Sequence, residues 1–256
     1  EFIIFSLSDG EFFHLFAYQP ETLPISRLTN SAWDDIDPNV NAEGDKGAFS
    51  SRRNGYWDIY VLDLKTGELI RITDTPDFEG HPYWSPDGQW LAISTQFGVT
   101  LYHASTFAES WFTPLPEKAG LVIFDPKSER LGVVSDTAIV ILDVGSGKML
   151  ARLEGAGDSF AWSPDGQWLA AANFSDAMYL WQASIRKPVW SYGAEIRNLR
   201  PLSVDIHPSG GSVAFGTALN GIFILDRESG TLLHQLKVLV PYGDVVFSPD
   251  GSLLAG

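Results

Sequence analysis

Short apolar runs separated by turn-forming residues recur along the whole chain. In one stretch, Pro82-Tyr83-Trp84 is followed by the polar residues 85–89 and then by the apolar run 90–93. Proline presets φ at the first corner of a turn, aspartate hydrogen-bonds its own backbone, and glycine adopts positive φ without steric cost. The pattern therefore predicts a hairpin that joins two buried strands.

This stretch is part of an internal repeat. The sequence SPDGQWLA occurs at 85–92 and again, identical, at 163–170, with SPDGSLLA at 248–255 and weaker copies at 125–132 and 207–214. The glycine of the turn, or the residue that replaces it, recurs every 38 to 44 residues, at Gly44, Gly88, Ser128, Gly166, Gly210 and Gly251. A period of this length with four strands in each repeat is typical of a β-propeller blade.

The predicted fold class is all-β, a β-propeller of four-stranded antiparallel blades that forms a single domain over residues 1–256. The repeats run from about 1–30, 31–73, 74–115, 116–154, 155–194 and 195–238. Residues 1–30 supply strands two to four of a blade and 239–256 supply strand one, which predicts six blades with a composite closing blade. Because residues 252–256 align with 1–5, both segments compete for one strand, and a fragment of a seven- or eight-bladed ring is the alternative.

Two stretches resemble known propeller families. The residues DIYVLDLKTGELIRIT at 58–73, followed by HPYWSPDGQWLAIST, are similar to the repeats of TolB-like propellers. The residues FAWSPDGQWLAAANFSDAMYLWQAS at 160–184 resemble a WD-repeat, with Gln182 where that repeat carries an aspartate. The resemblance implies the propeller fold and, through the TolB-like repeats, favours a bacterial periplasmic or extracellular location. It implies little about function, because propellers host unrelated roles.

Charge and composition narrow the range of partners. The chain has a net charge of -15, which argues against a nucleic-acid surface and favours basic or cationic partners. It contains no cysteine, which excludes disulfides and thiolate metal sites. No apolar run approaches 18 residues, so no membrane span is predicted.

Catalytic and cofactor motifs are degenerate or absent in the sequence. Gly145-Ser146-Gly147-Lys148 resembles the end of a phosphate-binding loop but lacks the first glycine and the Ser/Thr of that motif. No GxSxG nucleophile elbow is present, although some serine peptidases carry a propeller of this type beside a hydrolase domain. Residues 35–39 imitate part of a calcium loop, with Val40 where glycine is needed, so Asp35 and Asp37 are only weak metal candidates. No cofactor is predicted.

The remaining candidates come from the repeat phase. In a propeller, the loops that lead from a fourth strand to the next first strand open on the same face as the loops between second and third strands. That face is predicted to bind the partner, and its candidate residues are Trp33, Asp34, Asp35, Asp37, Arg52, Arg53, Phe78, Glu79, His81, Asp158, Phe174 and Asp244. Acidic groups mixed with exposed aromatics suit a peptide or basic protein, and a solvated loop rim is the alternative interpretation of each residue.

The resulting functional prediction is a non-catalytic propeller that binds a protein or peptide, or serves as a scaffold domain of a larger chain. Two alternatives remain open. One is an enzyme or metal site at the channel mouth that uses Asp37, Glu79, His81 and Asp244. The other is a small-ligand or sugar sensor in which Trp33 and Phe78 stack on the ligand.

Overall fold

The computed structural model describes residues 3–19, 25–136, 138–155, 157–173, 177–183, 187–196, 198–237 and 245–255. Within these ranges every helix or strand element is a β-strand, 25 in all. They form five four-stranded sheets, one three-stranded sheet and one two-stranded sheet, with consecutive strands as neighbours. This succession of antiparallel sheets is a β-propeller arrangement, so the predicted fold class is confirmed.

The chain divides into two compact units, residues 1–124 and 125–256. In the first unit, the first sheet contains β1 (Ile3–Ser8), β2 (Phe13–Tyr18) and β3 (Ser26–Arg27). The second sheet contains β4 (Asp35–Val40), β5 (Lys46–Ser51), β6 (Asp58–Asp63) and β7 (Leu69–Arg71). The third sheet contains β8 (Glu79–Trp84), β9 (Trp90–Thr95), β10 (Gly98–His103) and β11 (Glu109–Pro114), and β12 (Ala119–Phe124) ends the unit.

In the second unit, β13 (Arg130–Ser135), β14 (Ala138–Asp143) and β15 (Met149–Glu154) complete the fourth sheet. The fifth sheet contains β16 (Ser159–Trp162), β17 (Trp168–Asn173), β18 (Ala177–Gln182) and β19 (Trp190–Tyr192). The sixth contains β20 (Pro201–Ile206), β21 (Ser212–Thr217), β22 (Gly221–Asp226) and β23 (Leu232–Leu236). The last contains β24 (Val246–Phe247) and β25 (Leu254–Ala255).

The core of each unit lies between its sheets. In the first unit, Ile59, Val61, Trp84, Leu91 and Ile93 form one buried cluster. The inner strands β5, β6 and β9 are buried along most of their length, whereas β23, a fourth strand, is exposed throughout. This gradient explains why the inner strands read as nearly continuous apolar runs and the fourth strands do not.

The repeated turns adopt the predicted backbone. All six recurring turn residues, Gly44 to Gly251, have positive φ, between 58° and 72°. In the third sheet, Asp87 Oδ1 accepts hydrogen bonds from Ser85 Oγ at 2.6 Å and from the Gln89 amide at 3.1 Å. Ser85 Oγ in turn accepts a bond from the Trp90 amide at 2.9 Å, which closes the hairpin between β8 and β9.

The last sheet differs from the predicted composite closing blade. Phe247 pairs with Leu254 and Val246 with Ala255, so the strand opposite β24 comes from the C-terminal segment itself. Among the described residues, β1 to β3 make a sheet of their own. A hairpin through residues 248–251 closes a short loop, whereas pairing with residues 1–5 would close a loop of nearly the whole chain, at a higher entropic cost. The number of blades stays a prediction.

Candidate functional site

Nine of the candidate residues lie in the first unit. They are Trp33, Asp34, Asp35, Asp37, Arg52, Arg53, Phe78, Glu79 and His81. Residues 33–37 and 77–81, called here the lead-in segments, enter β4 and β8 respectively. In both strands the pairing register shifts just after the strand begins, between Ile36 and Asn39 and between Gly80 and Tyr83. Each lead-in segment therefore contains a β-bulge, a feature that re-aims a side chain.

The two bulges bring Asp37 and His81 together. Both residues hold left-handed backbone, with φ of 53° and 48°. Asp37 Oδ2 lies 3.4 Å from His81 Nδ1, and each side chain is 34% exposed. These are equivalent positions in successive repeats, as the spacing of 44 residues predicts. The contact becomes an ion pair when His81 is protonated, and it joins the two lead-in segments through polar side chains.

Asp35 was expected on an exposed rim, but the structure buries its side chain completely. Its carboxylate accepts a hydrogen bond from Arg53 Nη2 at 2.8 Å and one from Ser31 Oγ at 3.1 Å. The Arg53 guanidinium also lies over the ring of Tyr60, 4.5 Å from its centroid. Because both carboxylate oxygens already have partners in the protein, Asp35 stabilises the lead-in segment and is poorly placed to bind a cation.

Other residues of the first lead-in segment have local partners. Asp34 Oδ1 accepts a hydrogen bond from the Phe13 amide at 3.0 Å, which ties the segment to β2. The Arg52 guanidinium lies 5.5 Å from the ring centroid of Trp57. Trp33 is 47% exposed. Of these three candidates, Trp33 presents the largest apolar area to a partner.

The second lead-in segment is organised around Phe78. Its ring packs onto Gly80 so closely that a methyl group there would lie 2.6 Å from the ring carbon Cζ. The Lys118 ammonium stands 4.2 Å from the ring centroid, in a cation–π arrangement. The His81 ring tilts against it at 6.5 Å between centroids. The Phe78 ring is therefore already in contact with a cation, Lys118, and with a second ring, His81.

Glu79 is buried, with 4% of its surface exposed. The Thr75 hydroxyl donates to Glu79 Oε1, whereas Oε2 has no hydrogen-bond partner in the described part of the chain. Burial raises the pKa of the Glu79 carboxyl, against the Thr75 and Thr73 hydroxyls, which favour its charged form. The side chain lines a cavity of about 360 Å³ together with residues of β9, β10 and β11.

This cavity was not predicted from the sequence. Its other walls include Phe112 of β11 and also Thr100 and Tyr102 of β10, which alternate with the buried core residues Val99 and Leu101. Such alternation indicates a strand with two faces but does not show which polar face borders an empty volume. Only the packing of residues 75–79 against the third sheet creates the cavity.

Three candidates fall elsewhere. Asp158 lies in the second unit, where its amide donates to the Ala172 carbonyl at 3.1 Å. Phe174 and Asp244 lie outside the described residues. The proposed grouping of Asp244 with Asp37 and His81 therefore stays a prediction.

No group of three or more His, Asp or Glu side chains suited to a metal ion occurs among the residues the structure describes. In the same ranges, no helix has the length and apolarity needed to cross a membrane. A cation site at Asp37, which has one histidine beside it, stays a prediction.

Comparison with known proteins shows a sequence similarity to a peptidase and a structural similarity to a propeller. No protein-family model matches the chain. It is 25% identical over 167 residues to "Uncharacterized peptidase YuxL" of Bacillus subtilis (strain 168), a match that spans 64% of this chain and 25% of that protein. A chain in the crystal structure of the mitotic checkpoint complex superposes with a TM-score of 0.72 at 19% identity, over 85% of this chain and 68% of that one.

These comparisons support the fold and correct the function. The structural likeness bears on the fold alone and agrees with a WD-like propeller. The prediction of a non-catalytic binding or scaffold protein is contradicted, because the curated relative is a peptidase. That prediction rested on the lack of a catalytic motif in the sequence and on the acidic and aromatic residues of the predicted binding face. Propeller repeats are compatible with catalytic and non-catalytic proteins alike, so neither observation excluded a peptidase.

Proposed function

We propose that this chain is the β-propeller part of a peptidase, in which it engages peptide substrates and governs their access to a catalytic centre elsewhere in the protein. The observation that carries the proposal is the 25% identity to a peptidase over 167 residues. The absence of a GxSxG motif in these 256 residues agrees with a catalytic centre outside them.

The surface chemistry supports contact with peptides. The chain carries 32 acidic and 17 basic residues, so its field attracts basic peptides and repels acidic ones. The Asp37–His81 pair and the exposed Trp33 ring offer polar and aromatic contacts of the kind that peptide-binding surfaces use. Repeats similar to those of TolB-like propellers, such as residues 58–73, would be compatible with a propeller that contacts peptides.

The test uses the full-length gene product that contains this chain. A fluorophosphonate probe, which labels activated serines, should modify it at a residue outside 1–256. A panel of fluorogenic peptides should be hydrolysed, with basic peptides preferred. The full-length double variant Asp37→Asn, His81→Gln should keep probe labelling while KM for basic peptides rises. Failure of the wild-type protein both to react with the probe and to cleave any peptide would overturn the proposal.

A further inference from the structure

The cavity beside Glu79 has the dimensions of a ligand site. At about 360 Å³ it falls at the small end of the range for sites that hold small molecules or single side chains. Its floor is formed by Ile93 and Thr100, both buried. Phe97 and Phe112 stand at its rim with 55% and 44% of their surfaces exposed. The cavity therefore combines a closed floor with an aromatic mouth.

One polar atom in the cavity wall lacks a partner. Glu79 is more than nine-tenths buried, and its Oε2 forms no hydrogen bond within the described residues. Buried polar atoms in native proteins are almost always paired, so an exception calls for an explanation such as a bound group. A donor that enters the cavity would supply the missing hydrogen bond.

The charges around the cavity select the kind of donor. Asp77 and Glu109 line it together with Glu79, and the described lining includes no lysine, arginine or histidine. Asp77 Oδ1 accepts a bond of 2.6 Å from Gln96 Nε2, and Glu109 stands opposite Tyr102 in the β10–β11 pairing. Burial, with the charges of Glu109 and Glu79, raises the pKa of Tyr102 to about 12. A negative potential with neutral phenol and phenyl rings favours a cation with an apolar stem.

We propose that this cavity binds an organic cation, an ammonium or guanidinium group at the end of an aliphatic stem, with Glu79 Oε2 as its principal acceptor. The aliphatic stem lies between Phe97 and Phe112. The carboxylates of Glu109 and Asp77 add to the negative potential that attracts the cation. The cation comes either from a free amine or from a lysine or arginine side chain of a peptide. The site does not depend on the peptidase proposal, because it requires only residues 75–112 of this chain.

Isothermal titration calorimetry on the 256-residue chain tests the proposal. n-Butylammonium should bind, whereas 1-butanol, which has the same stem and no charge, should not. Acetyl-Gly-Lys-Gly-amide and acetyl-Gly-Gln-Gly-amide form the peptide arm. Binding of the lysine peptide assigns the site to peptide side chains, and binding of n-butylammonium alone assigns it to free amines. Absence of binding by both cations, or equal binding of 1-butanol, would overturn the proposal.

Variants locate the binding to this cavity. Glu79→Gln should weaken n-butylammonium binding by at least about tenfold, because a charge-assisted hydrogen bond is lost. Glu109→Gln and Phe112→Ala change exposed residues and should each weaken binding severalfold, so they keep the test valid if Glu79→Gln fails to fold. Glu68→Gln removes the same charge from an exposed turn of the same unit outside the cavity and serves as the control. Equal loss of affinity in Glu68→Gln and in the cavity variants would overturn the proposal.

Discussion

At the scale of single residues, each turn reuses one set of hydrogen bonds. Asp165 and Asp250 repeat the bonds of Asp87: each accepts from the serine two residues before it and from the amide two residues after it. Where aspartate replaces the serine, at Asp125, its carboxylate accepts from the amides of Glu129 and Arg130 instead. These bonds are local, so the sequence alone could predict them.

Two glycines in equivalent turns allow the cost of left-handed backbone to be measured apart from the cost of a side-chain clash. Gly67 and Gly230 both close the turn between a third and a fourth strand, with φ of 75° and 68°. A methyl group at Gly67 meets open space, whereas at Gly230 it would lie 2.8 Å from Trp190 Cγ. We expect Gly67→Ala to lower the free energy of unfolding by about 1 kcal/mol, the cost of left-handed backbone. Gly230→Ala should cost more, because the ring must move away from its 2.7 Å bond to the Arg227 carbonyl.

Urea denaturation of both alanine variants measures the difference. A matched substitution, Gly→Ala in each case, keeps the chemistry constant, so the excess cost at Gly230 reports the Trp190 contact. Equal costs at the two positions would show that Trp190 yields without loss and that the packing argument is wrong.

Two buried or capped aspartates should give opposite slopes of stability with pH. Hydrogen bonds from the Ser229 side chain and amide hold the pKa of Asp226 below its usual 3.8. Its contribution to stability is present above pH 3.8 and is lost as pH falls through the folded-state pKa. Burial raises the pKa of Asp205 above 3.8, so its contribution is present below pH 3.8 and is lost as pH rises through the folded-state pKa.

Thermal unfolding between pH 7 and pH 2.5 checks the two signs. Asp226→Asn should unfold with a smaller acid-induced drop in Tm than the wild-type protein. Asp205→Asn should show a larger drop, because the wild-type chain gains from protonation of Asp205. The same pH dependence in both variants would contradict the assigned shifts.

At the scale of strands, side chains of first strands link successive sheets. Asn39 Oδ1 in β4 accepts a hydrogen bond of 2.8 Å from the Trp84 amide in β8. Asp205 Oδ2 in β20 does the same for the Phe247 amide in β24, at 2.7 Å. Asn39 and Asp205 occupy equivalent positions in their repeats. A polar residue at this position therefore stabilises the contact between neighbouring sheets.

Asn39→Ala should lower the free energy of unfolding by about 1–3 kcal/mol, because the Trp84 amide loses its acceptor. Asn39→Asp keeps an acceptor oxygen in the same place and should lose much less. Urea denaturation of the two variants at neutral pH measures the difference. Equal destabilisation would show that the packing of residue 39, and not its hydrogen bond, is what matters.

The strands could be predicted far better than the site. Hairpins such as β8–β9 follow from local turn chemistry, and the Asp37–His81 contact follows from the repeat spacing. The burial of Asp35 could not be predicted, because it depends on Arg53, 18 residues later and across two strands. The Glu79 cavity depends on four strands and a loop that meet only in the folded sheet. Contacts that occur in one repeat and not in the others leave no periodic signal.

At the scale of the whole molecule, the evidence that supports the fold does not determine the function. The repeats and the structural likeness agree on a propeller, whereas the peptidase relative contradicts the non-catalytic prediction. Propeller repeats specify turns and core, and these are compatible with catalytic and non-catalytic chains alike. Functional evidence must therefore come from the lead-in segments, from the Glu79 cavity and from the full-length protein.

The net charge of the molecule should destabilise it at low ionic strength. A charge of -15 on 256 residues gives mutual repulsion among surface carboxylates. Raising sodium chloride from about 10 to about 150 mM shortens the screening distance from about 30 to about 8 Å. The buried pairs Arg53–Asp35 and Arg71–Asp58 are screened less, so relief of repulsion should dominate and Tm at pH 7.5 should rise with salt. The same titration near pH 4.6, where the net charge vanishes, should leave Tm nearly constant. An equal rise at both pH values would mean that salt acts by a general solvent effect and that charge repulsion does not limit the stability of the chain.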